Sequence, residues 1–544
     1  MADRGHAERA AHAGWYRAAV LPCPVESEAM QTIETFGIGV VGTGAMGRGI
    51  AQLFAQSGHP VRLFDAAPGA AGAAKTAVAD ALDKLVDKGK LGRDARDATV
   101  ARLQPVDALA ALSGCDLVIE AIVENLEIKR RLFAELEGIV GPEAILASNT
   151  SSLSVTAIAS ACRAPGRVVG YHFFNPVPLM KVVEVIRGVR TEAAVADALV
   201  ALTRRTGHAP VVAQDTPGFL INHAGRGYGT EALKLVSEGV TDPATVDRIM
   251  REQVVFGSGG FRLGPFELLD LTGLDVSHPV MESIYRQFYD EPRFRPSALA
   301  ALRVSGGLLG RKTGEGFYRY EGGQPLAVPE PDPAGPSDPA AFASVWTPAG
   351  TDRATIAGLV ESLGASVDDR QAPSADSLIV LAPRGHDATW AAAEAGLPAE
   401  RCVALDTLFP YGAKACKRRT LMTTPATDPA LAAAARRLFA GDGAKVSLIR
   451  DSAGFVAQRT VAMVVAIACE IAQQRIASPA DIDLAVRLGL GYPVGPLSMG
   501  DALGAATLAG VLDGMHQATG DPRYRPSLWL RRRASLGLPL TRAD

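Results

Sequence analysis

Among nine histidines in the chain, one stands where proton transfer is plausible on chemical grounds. His172 ends the apolar run Arg167-Val-Val-Gly-Tyr-His. It is followed by Phe-Phe-Asn-Pro-Val-Pro-Leu-Met and a second apolar run, Lys181-Val-Val-Glu-Val-Ile. If the two runs are strands paired antiparallel about the bend at Pro178, His172 and Glu184 are equidistant from its centre and become cross-strand neighbours. A carboxylate there fixes the imidazole tautomer, raises its basicity and stabilises the imidazolium left after proton abstraction. Such a pair suits removal of a hydroxyl proton from an alcohol. On spacing alone, a core histidine satisfied by an edge glutamate is the competing reading.

A second set of residues carries phosphate chemistry. Gly42-Thr-Gly44-Ala45-Met46-Gly47 is a G-x-G-x-x-G. The first glycine permits the tight turn, the second lets backbone approach a pyrophosphate, and the third lets the helix pack close to the sheet. Alone the pattern is weak. Here an apolar run precedes it, a helical pattern follows, and Asp65 ends the next strand, 23 positions after Gly42. Asp65 can accept hydrogen bonds from ribose hydroxyls and would repel a 2′-phosphate, and Ala66 and Ala67 follow it rather than an arginine. NAD is favoured over NADP.

These residues need a scaffold, and the periodicity supplies one. Strands are expected at 37–41, 61–64, 117–120, 144–147, 168–174 and 181–186, with a helix from Ala45 to Ser57. Alternation of strands and helices predicts an α/β Rossmann-type doubly wound sheet. From Pro217 strand signals stop, and helical patterns such as Thr230–Ser237 and Pro243–Glu252 predict an all-α domain. A Pro-rich stretch reads as a linker.

Beyond the linker the chain repeats itself. Asp215-Thr-Pro-Gly-Phe-Leu-Ile-Asn returns as Asp451-Ser-Ala-Gly-Phe-Val-Ala-Gln, 236 positions on. Pro243 and Asp247 recur as Pro479 and Asp483, Gly264-Pro-Phe-Glu-Leu-Leu-Asp as Gly495-Pro-Leu-Ser-Met-Gly-Asp, and Glu291-Pro-Arg-Phe-Arg-Pro-Ser as Asp521-Pro-Arg-Tyr-Arg-Pro-Ser. The helical domain is duplicated. The copy extends upstream in degraded form, with Asp406 in place of His172, Gln458 in place of Asn222, and no glycine-rich loop. The expected domains are an extension (1–34), a dinucleotide-binding domain (35–216), a helical domain (217–322), a linker (323–341), a degenerate Rossmann-like segment (342–450) and a second helical domain (451–544). The second half is expected neither to bind NAD nor to catalyse.

Gly42–Gly47, Glu120-Ala-Ile-Val-Glu124-Asn, Ser148-Asn-Thr-Ser151-Ser, His172-Phe-Phe-Asn-Pro, Asp215 to Asn222, Gly264 to Asp270 and Gly310-Arg-Lys-Thr-Gly-Glu-Gly-Phe-Tyr stand in the order seen in L-3-hydroxyacyl-CoA dehydrogenases. The chain resembles that family closely over 35–320 and weakly to its end, and its duplicated C-terminal half resembles the long bacterial form associated with phenylacetate degradation. The resemblance implies NAD-dependent oxidation of (S)-3-hydroxyacyl-CoA, with His172 as general base and Glu184 as its orienting partner. It implies that Ser151 and Asn222 hydrogen-bond the substrate, and that Ala121, Glu124, Lys129 and Asn175 line the nicotinamide half of the site. Lys88 falls where the family has a lysine near the CoA phosphates; a solvated surface lysine is the competing reading. One departure is the glycine-rich Phe256-Gly-Ser-Gly-Gly-Phe, where the second copy keeps Gly491-Tyr-Pro-Val-Gly-Pro; it bears on the acyl pocket.

In shorter family members the helical domain forms a homodimer contact. The expectations are therefore a homodimer, or a monomer whose second helical copy is an internal partner. A dehydrogenase of free hydroxy or sugar acids, and a non-catalytic crystallin-like relative, are the alternatives. Retention of Ser151, His172, Glu184 and Asn222 together speaks against the second.

Composition excludes little else. A net charge of −3 gives no footprint for nucleic acid or an anionic membrane. Six cysteines form no CxxC and no metal spacing, as in a reduced, cytoplasmic protein without a metal. Residues 1–33 lack the apolar stretch of a signal peptide, and the apolar run Val461–Cys469 is short for a membrane span.

Overall fold

The computed structural model describes residues 36–257, 259–330, 341–350, 352–411 and 416–544. The expected extension over 1–34 and most of the linker fall outside them.

Buried apolar runs of four to six residues make the first sheet. Its strands are β1 Ile38–Val41, β2 Val61–Phe64, β3 Leu103–Pro105, β4 Leu117–Glu120, β5 Ile145–Ser148, β6 Val168–Phe173, β7 Val182–Arg187 and β8 Ala209–Gln214. Their order is β3-β2-β1-β4-β5-β6-β7-β8, a doubly wound arrangement that reverses direction beside β1. All neighbours are parallel except β6 and β7. Since β7 and β8 run together, the sheet is mixed rather than wholly parallel. Two strands, β3 and β8, were not expected; β3 has three residues and β8 carries Pro210.

The helical domain follows as expected, with Arg226–Ser237 and Pro243–Glu252 among its helices. It is not free of strand: a hairpin of β9 Val255–Phe256 and β10 Gly259–Gly260 forms in the glycine-rich departure. β11 Tyr320–Glu321 and β12 Gln324–Pro325 pair at the domain's end, which carries ordered structure into the expected linker.

A second sheet holds β13 Ser344–Trp346, β14 Ser377–Leu381, β15 Cys402–Leu405, β16 Arg418–Thr423 and β17 Lys445–Ile449, in that order. Its pairings run parallel, parallel, antiparallel, parallel. That is the pattern of β4 through β8. The second half therefore corresponds to the first without β1 to β3, which are the strands that would carry a glycine loop and an acidic ribose partner.

The two helical copies pack on each other. Helix Val456–Gln473 is apolar and long enough by composition to cross a membrane, but 89% of it is buried inside the protein, so it is a core helix, longer than the run 461–469 suggested. It crosses Arg226–Ser237 closely: a Cβ on Gly227 would lie 3.1 Å from the backbone of Met463. Residues 227 and 463 are equivalent in the repeat, 236 positions apart, so a pseudo-twofold axis passes between them, as in an isologous dimer.

Candidate active site

The cofactor loop is held by sterics. Gly42 has a φ of +91°, and a Cβ there would lie 2.6 Å from the Ala121 carbonyl oxygen. A Cβ on Gly47 would meet the Gly42 carbonyl oxygen at 1.8 Å, so neither position admits a side chain without moving backbone. Gly44, by contrast, faces open space with nothing within 4 Å, at the start of helix Ala45–Gln56. Those are the features of a pyrophosphate cradle, and Ala45 and Met46 open the helix beside it. Asp65 follows β2; its carboxylate accepts from the Thr43 amide (2.7 Å), the Thr43 hydroxyl (2.8 Å) and the Ala67 amide (3.0 Å). Burial pushes that carboxyl up, but these donors outweigh it and leave it below its usual range, so it stays anionic with lone pairs to spare for ribose hydroxyls.

The register pairs His172 with Glu184, as the spacing predicts. His172 Nδ1 lies 2.6 Å from Glu184 Oε2, and both residues are buried. The other Glu184 oxygen accepts the amides of Leu220 (3.0 Å) and Ile221 (2.8 Å). One carboxylate thus fixes the imidazole and ties the sheet to the first turn of the helical domain. His172 Nε2 has no partner among the described residues, and the rings of Phe174 and Phe219 stand 4.4 and 6.0 Å away. Asn149 Oδ1 accepts the Phe173 amide at 2.8 Å, steadying the strand one residue from the imidazole. Asn222 follows in Ile221–Ala224, half-buried.

A buried charge network closes the ends of β4 and β5. Lys129, 1% exposed, contacts Glu120 Oε1 at 2.5 Å and Glu124 Oε2 at 3.3 Å. Glu120 also accepts the Ser148 hydroxyl. Glu124 Oε1 accepts the Thr150 hydroxyl (2.7 Å), the Ser151 amide (3.0 Å), the Ser152 amide (3.1 Å) and the Ser152 hydroxyl (2.9 Å). Burial raises the Glu124 carboxyl, but Thr150, the Lys129 charge and the two serines bring it below its usual value. Lys129 therefore ties Glu120 to Glu124, while Glu124 shapes the loop that presents the exposed Ser151. Ala121 and Asn175 follow the ends of β4 and β6. Lys88 is exposed at the C-terminal end of helix Ala70–Asp87, and nothing in the structure brings it to these residues.

Sequence reasoning gave no role to Glu120, Thr150, Asn149 or the amides of 220 and 221. Glu120 had a signal, a carboxylate closing an apolar strand. The backbone amides had none.

Residues 37–216 match the NAD-binding domain model of 3-hydroxyacyl-CoA dehydrogenase, and 218–320 and 454–541 match its C-terminal domain, once for each helical copy. The chain is 36% identical to 3-hydroxyadipyl-CoA dehydrogenase of Escherichia coli K12, over 92% of this chain and 97% of that one. A crystal structure of 3-hydroxybutyryl-CoA dehydrogenase from the same species superposes with a TM-score of 0.80, at 36% identity, over 92% and 98%. A probable 3-hydroxybutyryl-CoA dehydrogenase of Deinococcus radiodurans is 43% identical over 52% of this chain and 99% of its own length. The chain belongs to the 3-hydroxyacyl-CoA dehydrogenase family, with NAD as its cofactor.

Proposed function

We propose that the chain oxidises the 3-hydroxyl of an (S)-3-hydroxyacyl-CoA thioester, reversibly, with His172 as general base. The observation that carries this is the His172–Glu184 contact, which leaves Nε2 free at the mouth of the cleft. Glu184 accepts a hydrogen bond from Nδ1–H, so the neutral ring presents a lone pair at Nε2. The substrate hydroxyl proton moves to Nε2, and the buried carboxylate stabilises the imidazolium. Asn222 and Ser151 orient the thioester and hydroxyl from opposite walls. NAD, when bound, supplies the two-electron acceptor for the hydrogen on C3.

Relatives named for 3-hydroxyadipyl-CoA and 3-hydroxybutyryl-CoA share the 3-hydroxyacyl thioester and differ in the acyl end, which supports this substrate class. A place in fatty-acid or phenylacetate catabolism belongs to the same proposal. So does a cytoplasmic location, supported by the free state of the five described cysteines. Lys88 as a CoA-phosphate contact rests on the resemblance alone. The close crossing at Gly227 and Met463 supports the second helical copy as an internal partner in place of a second chain.

The test follows NADH absorbance with a panel of 3-oxoacyl-CoA thioesters and with free 3-oxo acids. His172→Gln should lose at least ~100-fold in turnover while keeping its melting temperature. Wild-type turnover in that variant, or reaction with free acids alone, would sink the proposal.

A further inference from the structure

The pseudo-twofold axis that relates Gly227 to Met463 also relates Gln253 to Gly489, which are likewise 236 positions apart. Gln253 directly follows the helix Pro243–Glu252, and Gly489 ends its counterpart Pro479–Gly489. Each meets the opposite half. Gln253 is fully buried. Its Nε2 donates to Asp406 at 2.9 Å, and its Oε1 accepts the Thr420 hydroxyl. Those two residues stand in the second sheet where His172 and Glu184 stand in the first. In the closed site, a glutamine from one half therefore occupies the polar pair of the other.

At the working site the equivalent residue is a glycine, and it abuts Ile221. A Cβ on Gly489 would lie 2.7 Å from Ile221 Cδ1, 3.1 Å from Cγ2 and 3.4 Å from Cγ1. Ile221 is 1% exposed and opens the helix Ile221–Ala224. A β-branched side chain in a helix strongly prefers one χ1, so its two γ carbons cannot swing aside and the main chain must yield. That main chain holds the catalytic pair. The Leu220 and Ile221 amides donate to Glu184 Oε1, Glu184 Oε2 contacts His172, and the next residue is Asn222. One turn on, the fit is as close: a Cβ on Gly225 would meet Leu490 Cδ1 at 2.8 Å. In the second half Ala457 takes the place of Ile221. Bulk is thus exchanged across the axis, Ile221 with Gly489 on one side and Ala457 with Gln253 on the other.

We propose that Gly489, supplied by the half that does no chemistry, is a positioning residue of the active site. Its missing side chain lets Ile221 fill the joint, which seats the turn that carries Asn222 and holds Glu184 against His172. It also leaves that pair to the substrate, where the glutamine across the axis has taken it up. This rests on the reading of His172 as general base and adds to it a residue from the second half.

The test is a cycle of Gly489→Ala, Ile221→Val and the two together, measured by NADH absorbance with acetoacetyl-CoA and by thermal melting. Gly489→Ala should lower kcat about 10-fold, with KM for NADH and thioester within about two-fold and the melting temperature near that of wild type. Ile221→Val alone should cost a few-fold. It removes Cδ1, the nearest atom, so in combination it should recover most of the kcat that Gly489→Ala loses. Gly489→Gln, which copies the closed site, should lose at least ~100-fold. Wild-type kcat in both Gly489 variants overturns the proposal. Losses in the cycle that simply multiply, or a kcat that falls only in step with the melting temperature, overturn it as well. Wild-type turnover in His172→Gln would instead overturn the base assignment, so the two failures are told apart.

Discussion

Two positions at the same place in two related sheets have met different fates. At the end of β6, His172 faces Glu184. In the second sheet the register of β15 and β16 brings Asp406 opposite Thr420, and the Asp406 amide donates to the Thr420 carbonyl at 3.0 Å. The first site leaves a ring nitrogen unsatisfied. In the second, Asp406 accepts from Gln458 (3.0 Å) and Gln253 (2.9 Å), and Thr420 donates to Gln253 Oε1. Gln458 stands where Asn222 would be, and Gln253 enters from the helical domain of the first half. A site released from catalysis has drawn its central carboxylate into protein hydrogen bonds, as buried polar groups generally are; the working site keeps a ring nitrogen without a protein partner.

The interface between the helical copies carries the same asymmetry, and the largest expected effect comes from dividing it. Glu231 is fully buried and is held by Arg459 (2.7 Å), Arg523 (3.2 Å) and the Tyr524 hydroxyl (2.8 Å), all from the second half. Their equivalents in the first half are His223, Arg293 and Phe294. His223 is sealed between the Phe288 and Phe294 rings, and burial brings it down to about 3, so it stays neutral. A fragment ending at Glu330 could dimerise in this geometry only by setting Glu231 against a neutral histidine and one arginine, Arg293, where the second half supplies two arginines. Such a truncation should be insoluble or inactive, although a relative of that length exists. A stable, fully active fragment in size-exclusion and NADH assays would show that the second half is dispensable. Glu231→Gln is the milder cut: it leaves buried Arg523 without a carboxylate and Arg459 with Glu238 alone, and should cost about 3–5 kcal/mol in urea unfolding. A cost near zero would mean the cluster does not bind the halves.

Much of this was legible in the sequence, for identifiable reasons. The β6–β7 register follows from two apolar runs about a Pro-rich bend, because a period of two leaves little freedom. The repeated Asp247 and Asp483 were visible as a spacing; in the structure each accepts the amides opening the next helix, those of Phe266 and Glu267 or of Leu497 and Ser498. β8 escaped notice because Pro210 and a half-exposed edge blur its pattern. The amides that hold Glu184 belong to Leu220 and Ile221, whose side chains announce nothing. Lys129 was expected to line the cleft. No pattern within one element could show that Glu120, nine positions earlier on another element, would hold it.

The smallest expected effect discriminates between the two sites most finely. Burial raises the Asp406 carboxyl from 3.8 to about 6, more than its donors lower it. A carboxyl raised on folding is protonated in the native chain where the unfolded chain has already ionised. Its contribution is thus fully present below about pH 4 and is lost as pH rises through 6. Across that window the native state should lose up to about 3 kcal/mol through this one group. Asp406→Asn removes the titration and nearly keeps the shape. Relative to wild type, its urea midpoint should therefore improve between pH 4 and pH 7, with turnover at His172 unchanged. A gap between the two proteins that is flat with pH would mean Asp406 titrates normally and the closed site carries no electrostatic cost. A fall in turnover would mean the second half still speaks to the first through Gln253.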